Sequence, residues 1–407
     1  MHRSFVWNFS GVLVYNFSQL LILAAIARLL SAEAVGHYAL ALAITAPVYL
    51  TIGLNLRLIR TTDARDRWSW TTYTHLRLIL NIASFLVAMT IGTLFRLDDE
   101  QFLTLALVAV SKGFEASSQL IYGQYQFAER MDLVARSLIL RGVLGVGLLV
   151  GVLSTTQSLP LAVAGQTVAW VTVYAAHDRP LAHSRTDLPH RDDRVDARQV
   201  LALARYSAPL GLDAGVGSFA ITIPRYVVQL VLGPTALGIF ATLAYLAQLV
   251  SLTTGALGDA VLARLARLHA TEDKRSFWGT MIIVVAFGWI VTALALAAAV
   301  MFGAQWVTLA LGAEFVNQQV LIILLIGAGF TTCQRSLARA FYASQRYALV
   351  AFVNSIVLLA SILIALTAIP RWGLTGAALT QGSAFVIGTL ITMWLLFFHQ
   401  GHKESSP

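Results

Sequence analysis

Residues 31–43 read SAEAVGHYALALA, and residues 233–245 read GPTALGIFATLAY. An offset of 202 residues, close to half of the 407-residue chain, lays Ala34 on Ala236, Val35 on Leu237, Gly36 on Gly238, Tyr38 on Phe240 and Ala39 on Ala241. Each copy is a short turn leading into a helix opened by a glycine near an aromatic residue. Glycine there permits a tight turn and a close helix approach. A weaker third echo, RWGLTGAALTQG, begins at Arg371. Self-similarity at matched points of two equal halves predicts a parallel repeat, two lobes of equal helix number related by a pseudo-twofold axis.

Outward from this repeat, the composition says what solvent the lobes live in. Hydrophobic residues make up 57% of the chain and charged residues only 12%, about half the share found in soluble domains. The mean hydropathy of +0.73 excludes a water-soluble globule. One cysteine and 9 prolines exclude a disulfide scaffold, collagen and disorder. Measured against the roughly 20 apolar residues that a membrane helix needs, the sequence yields twelve segments. They run at about 8–28, 38–56, 78–95, 102–122, 138–154, 159–176, 207–230, 236–258, 278–302, 317–334, 347–369 and 373–398. The first is too long for a signal-peptide core and is read as a membrane helix. The fold class expected is an all-α polytopic membrane protein of about twelve helices in two six-helix lobes.

A net charge of +8 would suggest nucleic acid in a soluble protein. In this chain the distribution of the cations gives a different reading. With the N-terminus inside, 23 of the 28 Lys and Arg fall on the cytoplasmic side, including Arg57, Arg60, Arg77, Arg130, Arg141 and Arg205. Four fall outside, namely Arg28, Arg96, Arg225 and Arg371, and Lys112 lies within a span. That asymmetry supports cytoplasmic termini and an even span count. The expected organisation is an N-terminal lobe at 1–176, a cytoplasmic linker at 177–205 and a C-terminal lobe at 206–407. His177, His183 and His190 in the linker match no metal spacing, and the stretch at about 196–205 suits an amphipathic surface helix. There is no Walker A motif, no catalytic triad spacing and no zinc spacing, so the expectation is a non-enzyme without cofactor or metal. Cys333 reads as a small apolar packing residue.

Charges inside spans point to function because each is costly in hydrocarbon. The fourth span carries Ser111, Lys112, Glu115, Ser118, Gln119 and Tyr122, whose steps of three and four make one polar stripe. It fits a local Lys112–Glu115 pair between helices or a face lining a hydrated cavity, and its length favours the cavity. The first span has a similar stripe through Asn8, Tyr15, Asn16 and Gln19, ending at Arg28, which either snorkels to headgroups or serves the cavity. Asp213 lies deep in the seventh span, where it either titrates or pairs with an arginine; Arg225 follows Pro224 further out. Arg57 and Asp259 occupy equivalent places under the 202-residue offset, as either an inner gate, in which Arg57 or Arg60 meets Asp259 in an outward-open state, or two unrelated helix ends.

Several stretches together carry a family resemblance: AIARLLSAEAVGHYALALAI from Ala25, LNLRLIRTTDARDR from Leu54, TYTHLRLIL from Thr72, the run at 232–278, LGAEF from Leu311 and WGLTGAALTQG from Trp372. In order and spacing they resemble the Wzx-type polysaccharide flippases of the superfamily that includes MATE exporters and the lipid II flippase. The resemblance implies a MATE-like fold in the bacterial inner membrane and a lipid-linked oligosaccharide substrate. It implies transfer of an undecaprenyl-diphosphate-linked unit from the inner to the outer leaflet by alternating access. Its partners would be the membrane, a polysaccharide polymerase and glycosyltransferases, with no nucleic acid. Under that reading the cations Arg28, Lys112, Arg225, Arg57 and Arg60 are candidates for the diphosphate. Tyr15, Asn16 and Gln119 suit sugar hydroxyls, and Glu115, Asp213 and Asp259 suit coupling or gating. A MATE-like exporter of small cations is the alternative, and it calls for an acidic cavity. An O-antigen polymerase or ligase would need a large external loop, which the spans do not leave. The gate reading predicts that Arg57→Asp combined with Asp259→Arg regains transport that each single change loses; a double variant as inactive as the singles removes the pair.

Overall fold

The computed structural model describes residues 2–63, 67–184, 196–271, 273–344 and 346–401. Among them there are helices and no strand. In chain order these are α1 (His2–Leu29), α2 (Ala32–Ile52), α3 (Leu56–Thr62), α4 (Trp70–Leu94), α5 (Asp99–Phe127), α6 (Met131–Thr156) and α7 (Leu159–Val173). A π-helical turn, Tyr174–Asp178, leads into α8 (Arg179–Ser184). Then come α9 (Ala197–Leu232), α10 (Pro234–Ala270), α11 (Lys274–Ala310), α12 (Gln318–Ala343) and α13 (Tyr347–Gly401).

Ten stretches are long and apolar enough to cross a membrane. One of them lies within α13, whose 55 residues are interrupted at Gly373 (φ 56°, ψ −133°). A straight helix of that length would run about 80 Å, against a hydrocarbon core of roughly 30 Å. The break falls between the expected segments 347–369 and 373–398. α5 has the length of a span, 29 residues, but its polar stripe dilutes its hydropathy. Large apolar side chains such as Ile283, Leu309 and Leu94 lie on the outer surface. Such a surface suits lipid and not water, and the chain is a multi-pass membrane protein.

The chain divides into two compact units, Met1–Ser218 and Phe219–Pro407. In the first unit α5 is the hub, packed against α2, α3, α4, α6 and α7, while α1 lies along α6. Three of its helices, α2, α4 and α5, start where a side chain replaces missing backbone partners. Ser31 Oγ accepts from the Ala34 N–H at 3.2 Å, Ser69 Oγ from Thr72 N–H at 3.2 Å, and Asp98 Oδ1 from Gln101 N–H at 2.8 Å. In the second unit α12 is the hub, packed against α10, α11 and α13. There Gly327 sits so close to α13 that a Cβ on it would lie 2.9 Å from Gly382 Cα. Small residues let membrane helices touch backbone to backbone in this way.

The repeated positions are buried alike in their own units: Val35 and Leu237 completely, Tyr38 and Phe240 nearly so. The turn before α10 holds Gly233 at φ +86°, a conformation that favours glycine, and Pro234 then occupies the first helical position. The hub is the fourth long helix of each unit. The unit division falls inside α9, later than the expected linker. Residues 177 and 178 belong to the π-helical turn and 179–184 to α8, so the linker's beginning is structured; residues 185–195, including His190, lie outside the described residues. Residues 197–205, expected as a surface helix, continue without interruption into α9. α6 begins at Met131, seven residues before the expected span, so Arg141, expected at the cytoplasmic end of that span, lies ten residues into the helix.

The start of α9 joins the first unit through Gly211 and Gly215, one helical turn apart. A Cβ on Gly215 would lie 2.0 Å from Thr51 Oγ1, and one on Gly211 2.5 Å from the Thr51 carbonyl oxygen. Gly215→Leu is therefore expected to cost at least about 1–3 kcal/mol through overpacking, read as a lower thermal midpoint in detergent. Leu230, exposed on the same helix, provides the comparison: Leu230→Ala should leave the midpoint near wild type, and equal effects at both positions would refute the close crossing.

Candidate functional site in the first unit

The spacing on α5 determines which of its side chains meet. Residues 112, 115, 116 and 119 recur at helical steps and share one face. That face lines a cavity of about 490 Å³ together with residues of α2, α3 and α4, among them Tyr49, Arg57 and Arg77. The stripe is both of the things its sequence allowed. Lys112 Nζ donates to Glu115 Oε2 at 2.7 Å, and both residues border the cavity. Tyr15 on α1 donates its hydroxyl to Glu115 Oε1 at 3.2 Å, so the carboxylate is held from two helices. Lys112 Nζ also lies 5.9 Å from the centre of the Trp170 ring, within cation–π range.

The opposite wall is made where α2 stops. After Ile52 the chain passes Gly53, then Leu54 and Asn55 in left-handed conformations (φ 53° and 47°), and resumes as α3. Two non-glycine residues there cost on the order of 1–3 kcal/mol each, strain that tends to persist at functional sites. The break swings Arg57 onto α5. Its Nη1 donates to Gln119 Oε1 at 2.6 Å and its Nη2 to Gln126 Oε1 at 3.4 Å, and its guanidinium lies 5.7 Å from the Tyr122 ring centre. Arg60, almost one turn later, points elsewhere. It is buried, donates to Gln124 Oε1 at 2.5 Å, and lies over Tyr73 and Phe127.

Beside the cavity lies a second polar group, sealed from it. Arg141 and Asp178 are both fully buried and meet at 3.3 Å. Ser118 donates to Asp178 Oδ2 at 2.5 Å and accepts from Arg141 Nη2. His177 Nδ1 lies 3.0 Å from Asp178 Oδ1, and Tyr125 donates to the Asp178 carbonyl at 2.8 Å. The π-helical turn carries Asp178 into this position; π-turns inside helices often mark functional positions. The Trp170 ring is shared by the two groups, with Lys112 5.9 Å and Arg141 5.7 Å from its centre.

The cavity thus gathers Arg57, Lys112, Glu115 and Gln119 from the expected residues, with Tyr15 reaching Glu115. Asn16 is half-buried on α1 and does not line it. Arg28 is exposed in the last turn of α1. Asp213 is half-buried on α9 and does not line the cavity, although its neighbour Ala214 does. Arg225 is half-buried in the second unit. The side chain of Asp259 lies outside the described residues. Arg77, Arg141, Asp178 and Trp170 were not expected. Arg77, which the sequence places on the cytoplasmic side ahead of a span at 78–95, sits in α4, buried, and lines the cavity. Three cations and one carboxylate among the lining residues give the cavity an excess of positive charge, chemistry that suits anionic, hydroxyl and amide groups. Among the described residues no group of His, Cys, Asp and Glu is placed to hold a metal.

Residues 1–269 match the family described as Polysaccharide biosynthesis protein. The chain is 27% identical over 384 residues to the Capsular polysaccharide biosynthesis protein CapF of Staphylococcus aureus, covering 93% of this chain and 95% of CapF. Its structure is similar to that of Lipid II flippase MurJ in an inward closed conformation, with TM-score 0.76 and 13% identity over 97% of this chain and 87% of MurJ. It is also similar to an inward-facing multidrug resistance MATE family transporter of the MOP superfamily, with TM-score 0.67 and 14% identity over 100% and 96% of the two chains. These structural likenesses show the fold, which is MATE-like.

The two arginine settings differ in what their removal should do. Arg141→Ala strands a buried carboxylate and is expected to cost about 3–5 kcal/mol. Arg57→Ala removes hydrogen bonds to neutral amides at a half-buried position, with a loss on the order of 1 kcal/mol. Thermal unfolding in detergent compares them, and similar losses would contradict the division into a structural and a cavity cation.

Proposed function

The chain belongs to the polysaccharide biosynthesis protein family, and from that premise we propose that it flips a lipid-linked oligosaccharide across the bacterial inner membrane. The substrate class proposed is an undecaprenyl-diphosphate-linked repeat unit, O-antigen or exopolysaccharide, moved from the inner to the outer leaflet by alternating access. The observation that carries this reading is the polarity of the first-unit cavity, with Arg57, Arg77 and Lys112 against Glu115. A diphosphate crossing an apolar slab loses its hydration, and fixed cations and amide donors replace it. Arg57 and Lys112 are assigned to the anionic headgroup. Gln119, with Tyr15 behind it, offers donors and acceptors to sugar hydroxyls. Glu115, held by Lys112 and Tyr15, is the coupling candidate nearest the substrate, and Asp213 a second.

The names of the similar proteins support the reading from two sides, capsular polysaccharide biosynthesis for CapF and lipid II flipping for MurJ. They favour a transporter over an enzyme. The MATE likeness admits an exporter of small cations, but a cavity with excess positive charge disfavours a cationic cargo. The cation asymmetry of the loops supports cytoplasmic termini, and glycosyltransferases and a polysaccharide polymerase are the partners that would supply and consume the substrate.

A deletion strain tests the proposal. Lipid-linked oligosaccharide should accumulate on the cytoplasmic leaflet, and the wild-type gene should relieve it, whereas a Lys112→Ala copy should not. Unchanged surface glycan and no accumulation in the deletion strain would end the flippase reading.

A further inference from the structure

Two cations share the indole of Trp170, and they are held differently. Lys112 Nζ lies 5.9 Å from the ring centre and the Arg141 guanidinium 5.7 Å. Arg141 does not depend on the ring, since it is buried against the Asp178 carboxylate with Ser118 beside it. Lys112 has the Glu115 carboxylate at 2.7 Å; it is half-buried and borders the cavity. An ammonium in that place has lost part of its hydration, and an aromatic face is a partner that attracts it without carrying a charge.

Trp170 itself is 2% exposed and does not line the cavity. A buried indole usually bonds through its N–H, but the buried Trp170 Nε1 donates to none of the described residues. What the residue contributes at this place is its ring. α6 leaves room for it, because a Cβ on Gly145 would lie 2.9 Å from Trp170 Nε1. Tyr15 packs against another side, with ring centres 6.1 Å apart and planes at 44°. The same Tyr15 donates to Glu115 Oε1 at 3.2 Å, so side chains of α1, α5 and α7 meet around one lysine.

We infer that Trp170 is a positioning residue for the cavity lysine: its ring holds the Lys112 ammonium at the cavity wall by a contact that does not require the Glu115 carboxylate. The use of that lysine toward an anionic headgroup rests on the flippase reading, whereas the contact does not. The two anchors differ in kind. A carboxylate holds the ammonium and neutralises it, while a ring holds it and leaves its charge in place. Glu115 can therefore lose its charge, as a coupling residue must, while Lys112 stays where the headgroup meets it.

The chain has three lysines, Lys112, Lys274 and Lys403. A water-soluble amine-acylating reagent therefore reads Lys112 directly by peptide mass spectrometry, with the exposed Lys274 as reference. In the purified full chain carrying Glu115→Gln, Trp170→Leu should raise the labelling rate of Lys112 about threefold to thirtyfold over Trp170→Phe, the range that a ring–ammonium contact spans from exposed to desolvated sites. Trp170→Phe should stay closer to the native tryptophan than leucine does, because the ring is kept and no hydrogen bond is lost. Equal rates for leucine and phenylalanine overturn the proposal. So does the same leucine–phenylalanine difference in a Lys112→Cys chain read with a thiol reagent, since that reports access and not a held ammonium. If the Glu115→Gln background does not fold, the same order with a smaller gap is expected in chains that keep Glu115. In the deletion strain, Trp170→Phe should restore surface glycan more fully than Trp170→Leu. Ring-dependent labelling in a chain whose deletion leaves surface glycan unchanged would keep the contact and remove the flippase reading; ring-independent labelling in a working flippase would do the reverse.

Discussion

A charge placed among membrane helices must be answered by something, and the first unit is organised around how each answer is given. Arg141 and Asp178 answer each other. Their contact at 3.3 Å is enclosed by Ser118 from α5, by His177 and by the Tyr125 hydroxyl. The enclosure ties together α5, α6 and the turn that ends α7. It fixes the rotation of α5 about its axis, because Ser118 must face Asp178. Once Ser118 is placed, Lys112, Glu115 and Gln119 have their direction too, and they border the cavity. The buried pair never meets the cavity, yet the position of every polar group on α5 depends on it.

The same logic sorts the remaining cations. Arg60 lies against aromatic rings and a glutamine in the core, where its loss of hydration is offset by stacking and one short hydrogen bond. Lys112 has Glu115. Among the described residues Arg57 and Arg77 donate to neutral oxygens, Arg57 lying also against the Tyr122 ring, and both line the open volume. Neutral partners orient a guanidinium without cancelling its charge, which is what a binding group for an anion requires. A carboxylate in their place would cancel that charge. Stability and function therefore make opposite demands on arginines that lie close together in sequence, Arg57 and Arg60 being the clearest case.

What the sequence made legible was local and periodic. The α5 stripe was visible because steps of three and four are written in consecutive residues, and the Gly373 break because two apolar runs flank Arg371 and Trp372. The repeat at Ser31 and Gly233 was visible because turn and helix start lie within a dozen residues. What stayed hidden depended on pairing at a distance. Arg141 reads as a cation at the cytoplasmic end of the segment 138–154, although α6 starts at Met131 and carries it well inside the helix. Its partner Asp178 is 37 residues away, in a stretch that reads as hydrophilic linker, and nothing local marks it. Arg77 was hidden for a similar reason: α4 starts at Trp70, and its first turns are polar enough to pass for a loop. Arg60 illustrates the reverse failure, since a shared motif suggested a shared role for it and Arg57. A step of three residues along α3 turns one side chain toward the cavity and the other into the core.

The repeat and the site belong to different layers of the molecule. Both units use their fourth long helix as a hub, and the buried positions at the repeated turns match residue for residue. The hubs nevertheless differ in chemistry. The buried polar residues of α12 are neutral, Thr331, Thr332, Gln334 and Ser336, and Thr332 bonds to Ser251 and Thr254 on α10. Its arginines, Arg335 and Arg339, lie toward its C-terminal end. Hydroxyl contacts of this kind join helices in a membrane without placing a charge there. α5 performs the same packing task and in addition carries Lys112 and Glu115 at the cavity. Since the charged positions are not needed for the hub role that α12 fills without them, packing does not account for their presence on α5, and the proposed flippase role gives them a reason.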